Sequence, residues 1–199
     1  PGLFEACQRA VSGLQLRARE AFTPALLEWL ERGMVDMAIV TNPEPGRPLS
    51  LHPLLGEPFA LVSHPSLKLD RIVPARQLAG LPLLMTTLHR GLVDRQLQPL
   101  GLKLALRAEI DSVDSIRELV MRGPWATVMP ISVFKDPAAA RAVAISEISG
   151  VQLNRLVVLA TRIEKLAQAP QAAVREIIEA EFARLARQGM FSFSSAAEP

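Results

Sequence analysis

The chain is 199 residues long, 49% hydrophobic and 21% charged, with 22 basic against 20 acidic side chains and a formal net charge of +2. That length holds one or two compact units with a substantial core. The composition argues against long disorder, and no apolar run nears the ~18 residues that a bilayer span needs, so a soluble globular protein is expected. The basic residues form no block, which leaves no electrostatic footprint for nucleic acid. Cys7 is the sole cysteine, so an internal disulfide and a thiolate metal cluster are excluded, and a reducing cytoplasm fits. The stretch PGLFEAC at the start lacks the basic flank and long apolar core of a secretory signal.

Leu3, Phe4, Cys7 and Val11 recur at helical spacing until Ser12-Gly13 breaks the pattern. Residues 14–20 alternate apolar and polar, the period of a strand with one buried face. Thr23 as cap and Pro24 in the first turn predict a helix over 24–32, with Leu26, Leu27 and Leu30 on one stripe and Arg32-Gly33 as its stop. A short strand over 35–40 follows, then a loop at Asn42-Pro43. Residues 49–54 and 59–63 read as two adjacent strands separated by a turn at Gly56-Glu57-Pro58. Residues 81–85 form a buried strand that stops at Thr86 and Thr87, and Val93, Leu97 and Leu100 mark a helix ended by Gly101.

Further strands are expected over 102–110, 125–129, 141–148 and 154–161. Asp111 or Ser112 caps a helix carrying Val113, Ile116, Leu119 and Val120, ended by Gly123-Pro124. A long amphipathic helix spans about 171–187, with Val174, Ile177, Ile178, Phe182 and Leu185 on one face. The tail beyond Gly189 reads as poorly ordered. Strands alternating with helices imply an α/β fold with a largely parallel sheet, and the strand count suits two lobes with a cleft between them.

Reactive constellations are scarce. His52, His64 and His89 are scattered without metal-ligand spacing, and no nucleophile elbow, phosphate-binding loop or dinucleotide fingerprint is present. Cys7 lies on an apolar helical stripe and reads as a core thiol. Asp111 and Asp114 flank a helix start, where the dipole favours carboxylates. No catalytic residue, metal ligand or cofactor is therefore assigned. A binding site asks for less: short polar side chains and free N–H groups at strand ends. Thr86 and Thr87 can cap a helix and touch a ligand at once. Ser112 is a cap or a contact, Asn42 a loop-former or a contact, and Trp125 either walls the cleft or fills the core.

Three segments taken in order carry a resemblance. "LLEWLERGMVDMAIV" at 26–40, "PLLGEPFALVSHPSL" at 53–67 and "EIDSVDSIRELVMRGPWATVMP" at 109–130 resemble the effector-binding domain of LysR-type transcriptional regulators. Two departures accompany it. Trp125 stands where that family has a second glycine, two residues after the one matching Gly123. The chain also starts within the family's first helix, without the preceding strand or the winged helix-turn-helix.

The resemblance implies two Rossmann-like lobes joined by two crossover strands, similar to type 2 periplasmic binding proteins. Lobe I would comprise 1–62 and 142–199 and lobe II 63–141, with crossovers near Ser63-His64 and Arg141. It implies a cytoplasmic regulator that senses a small polar or anionic effector in the inter-lobe cleft, at Thr86, Thr87, Ser112, Asn42 and Trp125. DNA would be read by the absent N-terminal domain. The domain would pair with itself as a homodimer or homotetramer, with the apolar Val93-Leu97-Leu100 helix as a candidate surface. Two alternatives stand beside it: a secreted solute-binding protein serving a transporter, and an enzyme on the same architecture using Asp111 or His89.

Overall fold

The computed structural model describes residues 2–11, 13–165 and 169–193. Among them the helices are α1 (Gly2–Ala10), α2 (Thr23–Glu31), α3 (Thr87–Leu97), α4 (Val113–Arg122), α5 (Lys135–Ala139) and α6 (Ala169–Arg187). The strands are β1 (Met37–Thr41), β2 (Leu49–Ser63), β3 (Ile72–Pro74), β4 (Leu83–Met85), β5 (Leu106–Glu109), β6 (Ala126–Pro130), β7 (Ala144–Ser149) and β8 (Asn154–Arg162). The chain divides into two units, one of Pro1–Gly56 with Leu156–Gly189 and one of Glu57–Arg155 with Met190–Pro199. These boundaries differ from those expected at 62/63 and 141/142. The reason is visible in the pairing: β7 is held by β2 and β3 and therefore stays with the second unit.

In the first unit β1 runs antiparallel to β8, from Met37 opposite Thr161 to Thr41 opposite Val157. Leu27 and Leu30 of α2 pack on Ala38, Val40, Leu49, Val158 and Ala160. Thr23 does not cap α2 as expected. Phe22 is the cap residue and offers no side-chain bond. The Thr23 hydroxyl instead accepts the Thr41 N–H at 3.0 Å, because a strand-edge amide beside it would otherwise go unpaired. Gly33 ends the helix at φ +70°, and a Cβ there would lie 2.5 Å from Arg162 Nη1. That guanidinium donates to the Leu30 carbonyl at 3.2 Å, so glycine is needed for conformation and for space. Residues 14–20 alternate half-buried leucines with exposed polar side chains but pair with no strand.

In the second unit β4 is flanked by β5 and β6, all parallel, and β2 closes on β6 antiparallel. On the far edge of β2 lies β7, antiparallel, and β3 pairs with β7 in parallel. The sheet is thus mixed rather than largely parallel. Side chains alternate across it with the period of two that a pleated strand imposes. Phe59, Leu61, Leu83, Met85, Ala126 and Val128 join Val93 and Leu97 of α3 in one core. Ala60, Val62, Leu84 and Met129 meet Ile116 and Val120 of α4 in another. Val93 and Leu97 are fully buried within this unit, so they are not available as a self-association surface; only Leu100, 49% exposed, reaches outward.

Two other expectations are corrected. Gly56-Glu57-Pro58 does not turn; β2 runs through it as one strand. The anchor is Glu57, fully buried, whose carboxylate accepts from the Ser132 N–H at 2.9 Å and from Arg155 at 2.7 and 2.8 Å. The tail is docked at its start: Lys135 donates to the Ser192 carbonyl at 2.5 Å, and Phe193 packs on the core beside α4. The rest of the tail lies outside the described residues. Replacing Glu57 by alanine leaves a largely buried guanidinium unpaired. E57A is expected to lower unfolding free energy by about 3 kcal/mol, read as a fall in the urea midpoint.

Candidate functional site

The carboxyl ends of β4 and β5 lie side by side, with Met85 opposite Glu109. Each strand hands over to a helix one or a few residues later. Helix starts expose N–H groups that no turn satisfies, and the sequence supplies hydroxyls for both. Thr86 caps α3, its Oγ1 accepting from the His89 N–H at 3.1 Å. Ser112 caps α4, its Oγ accepting from the Ser115 N–H at 3.2 Å.

Thr86 is fully buried. Its hydroxyl also lies 3.0 Å from His89 Nδ1, and the imidazole meets Phe59 edge-on with ring centroids 5.9 Å apart. Burial, reinforced by the positive charge of Arg155, lowers the His89 pKa to about 4. The ring is neutral at pH 7, so the Thr86 hydroxyl is able to donate to Nδ1, leaving the imidazole proton on Nε2. This pair is an internal support for the start of α3.

Thr87, by contrast, is exposed. Its N–H donates to Asp111 Oδ1 at 2.8 Å. Its hydroxyl lies 3.2 Å from both Asp111 Oδ2 and Glu109 Oε2. Arg90, one turn along α3, pairs with Glu109 and with Asp94, and these carboxylate hydrogen bonds raise its pKa. A carboxylate at the first amide of a helix occupies the place where an anion is most favoured. Asp111 fills it from within the chain. The resulting patch offers hydroxyls, amides and charge-paired carboxylates, which can orient a small polar molecule. Among the described residues no group of three or more His, Cys, Asp or Glu side chains could hold a metal ion.

Thr86, Thr87 and Ser112 are thus brought to one edge of the second unit. Trp125 is not. It precedes β6, whose Ala126 is level with Leu83, and so sits at the amino end of β4, away from Thr86. Its indole lies over Gly123, where a Cβ would be 3.0 Å from Nε1, and it packs on the α4 core. Asn42 belongs to the first unit, at φ +44°. Its Oδ1 accepts from the Leu156 N–H at 2.6 Å and its own N–H donates to the Leu156 carbonyl at 2.9 Å, which extends the β1–β8 ladder. Sequence reasoning missed Glu109 and Arg90. The signal was there for Glu109, since it shares the exposed face of β5 with Arg107 and precedes Asp111 by two positions.

Residues 1–183 match the family model described as the LysR substrate binding domain. The chain belongs to the LysR substrate-binding domain family. It is 28% identical over 200 residues to the HTH-type transcriptional regulator BbuR of Bordetella bronchiseptica, covering 96% of this chain and 60% of that protein. The chain therefore spans about three-fifths of the length of that LysR-family relative. The reduced form of OxyR from N. meningitidis is 27% identical, with a TM-score of 0.71 over 89% of this chain and 86% of the other. The effector-binding domain of QuiR in complex with shikimate has a TM-score of 0.75 over 92% and 90% of the two chains. At 17% identity that likeness shows the fold alone. The fold class is the α/β, two-lobed one of LysR regulatory domains, similar to type 2 periplasmic binding proteins. The secreted solute-binding alternative finds no support among these relatives.

Because His89 is neutral in the folded protein and has an ordinary pKa near 6.5 when unfolded, unfolding takes up a proton below pH 6.5. Its contribution is fully present above that value and is lost as pH falls toward 4. Going from pH 7 to pH 5 should cost about 2 kcal/mol through this residue. Urea unfolding of the wild type and H89Q at the two pH values checks it: the variant should show the smaller acid-induced loss.

Proposed function

We propose that this chain is the effector-sensing and self-associating module of a bacterial transcription regulator. The complete polypeptide works in the cytoplasm as a homodimer or homotetramer and reaches DNA through an N-terminal domain; it has no catalytic role. The observation that carries this reading is family membership over residues 1–183. Its support in the second unit is a strand-end patch of hydroxyls, helix-start amides and paired carboxylates, without a nucleophile beside a base.

A small polar or anionic metabolite is held where Thr87, Ser112 and the first amides of α3 and α4 meet Asp111. Thr86 keeps α3 in place from beneath. The side chain of Asn42 is committed to Leu156 and that of Trp125 to the core, so we assign neither to the ligand. An anionic effector displaces Asp111 from the Thr87 amide, whereas an uncharged polyol lodges beside it. Such a ligand controls transcription only by favouring one arrangement of the protein over another, with a normal coupling of about 1 to 3 kcal/mol.

The test uses the complete regulator, its DNA site and small hydroxylated carboxylates and polyols, beginning with shikimate, the compound bound in the QuiR structure. Compounds that shift DNA affinity of the wild type are carried to the variant T87V/D111N, which keeps shape and loses the hydroxyl and the charge. The effector concentration giving half the shift should change by at least about tenfold, for a contact loss of about 1.4 kcal/mol; an unchanged response excludes this site. T86A should behave differently, losing about 1 kcal/mol of stability through the cap, measured by thermal or urea unfolding.

A further inference from the structure

Where β8 begins, four consecutive residues are each held by a different residue from elsewhere in the chain. The Leu153 carbonyl accepts from the Phe59 N–H at 2.8 Å. Asn154 exchanges both of its backbone bonds with one side chain: its N–H donates to Gln96 Oε1 at 2.9 Å, and its carbonyl accepts from Gln96 Nε2 at 2.9 Å. Arg155 is held by Glu57. Leu156 donates to Asn42 Oδ1 at 2.6 Å, and its carbonyl accepts from the Asn42 N–H at 2.9 Å. The chain passes from the second unit to the first between Arg155 and Leu156, so these holders bracket the passage.

Gln96 differs from the other three in coming from a helix. An antiparallel strand offers the residue opposite it one donor and one acceptor, and the Gln96 carboxamide copies that pair from the last turn of α3. Its Nε2 also donates to the Leu92 carbonyl one turn back at 3.3 Å, which fixes the direction in which the carboxamide points. Gln96 is half-buried and shares a helical stripe with His89, the residue on which the charge of Arg155 acts. That stripe of α3 therefore faces the start of β8.

The other end of the same helix is the candidate patch. Thr87 opens α3 with its N–H on Asp111, and Arg90 in the next turn pairs with Glu109. Thr87 and Gln96 are separated along the axis by about 14 Å, and a continuous hydrogen-bonded helix carries a displacement over that length as a rigid piece. We infer that Gln96 is the positioning residue through which α3 sets the backbone of β8 at Asn154. A ligand that shifts the start of α3 is thereby felt where the chain leaves the second unit. The inference rests on the proposed effector site only for what acts on the helix start; the hold on Asn154 needs no ligand.

Amide hydrogen exchange at single-residue resolution decides it, on the complete regulator with no effector added. Q96L removes the donor and the acceptor and should speed exchange at Asn154 at least about tenfold. D111A frees the Thr87 amide, as a competing anion would, and should speed exchange at Asn154 and Leu156 about threefold. In D111A/Q96L the Leu156 amide should exchange as it does in Q96L alone, a non-additivity that marks the two residues as coupled. Val158 and Ala160, buried further along β8, are the control and should speed up by a smaller factor in every variant. Wild-type exchange at Asn154 in Q96L shows that Gln96 does not hold it. A D111A that is silent at Asn154 and Leu156, or that acts on Leu156 equally with and without Gln96, shows that Gln96 is not the link. Equal acceleration throughout β8 shows plain destabilisation. Each of these results overturns the inference. Such a failure leaves the ligand patch standing, whereas an unchanged effector response of T87V/D111N excludes the patch and leaves the hold of Gln96 on Asn154 in place.

Discussion

A carboxylate taken wholly out of water must find its hydrogen bonds and its counter-charge inside the protein, and Glu57 finds both in pieces of chain far apart in sequence. Its oxygens accept from Arg155 at the start of β8 and from the Ser132 amide just after β6, while its own backbone carries β2 through what the sequence marks as a turn. Three passages of chain are thus tied at one point. The tie is strong because each partner would be costly to leave buried alone, and it holds β2 extended so that Phe59 and Leu61 reach one core while Ala60 and Val62 reach the other.

The same economy runs along the edge where β4 and β5 end. Every polar group brought there by the parallel strands has a neighbour: Thr86 with His89, Ser112 with Ser115, Thr87 with Asp111 and Glu109, Glu109 with Arg90. Rigid strands set the spacing, and caps set the directions of the helix amides. The two threonines that end "LPLLM" divide the labour, one buried and closing the helix, the other outside and meeting the acidic residues of the next strand.

Much of this was legible in the residues. The helical stripes through α1, α2, α4 and α6 and the buried run of β4 follow from periodicity, and both side-chain caps at the site follow from a hydroxyl ahead of an apolar stripe. What escaped depended on partners distant in sequence. Thr23 looks like a cap because proline follows it, but Thr41 sits across from it. Gly56 and Pro58 look like a turn because nothing nearby reveals that Glu57 is anchored by Ser132 and Arg155. Trp125 looked equally suited to a cleft wall and a core, and the register of β6 against β4 is what places it at the amino end. The Val93-Leu97 stripe does face an apolar surface, as its pattern requires, but that surface is the unit's own interior.

Asp111 at the Thr87 amide has one more consequence. A vacant helix start would welcome any passing anion, and cells are full of phosphates and carboxylates. Here the position is already taken by a tethered occupant whose effective concentration is high, so an intruder must out-compete it and also do something with the carboxylate it evicts. The tethered carboxylate thereby raises the affinity that any background anion would need in order to settle at the start of α3.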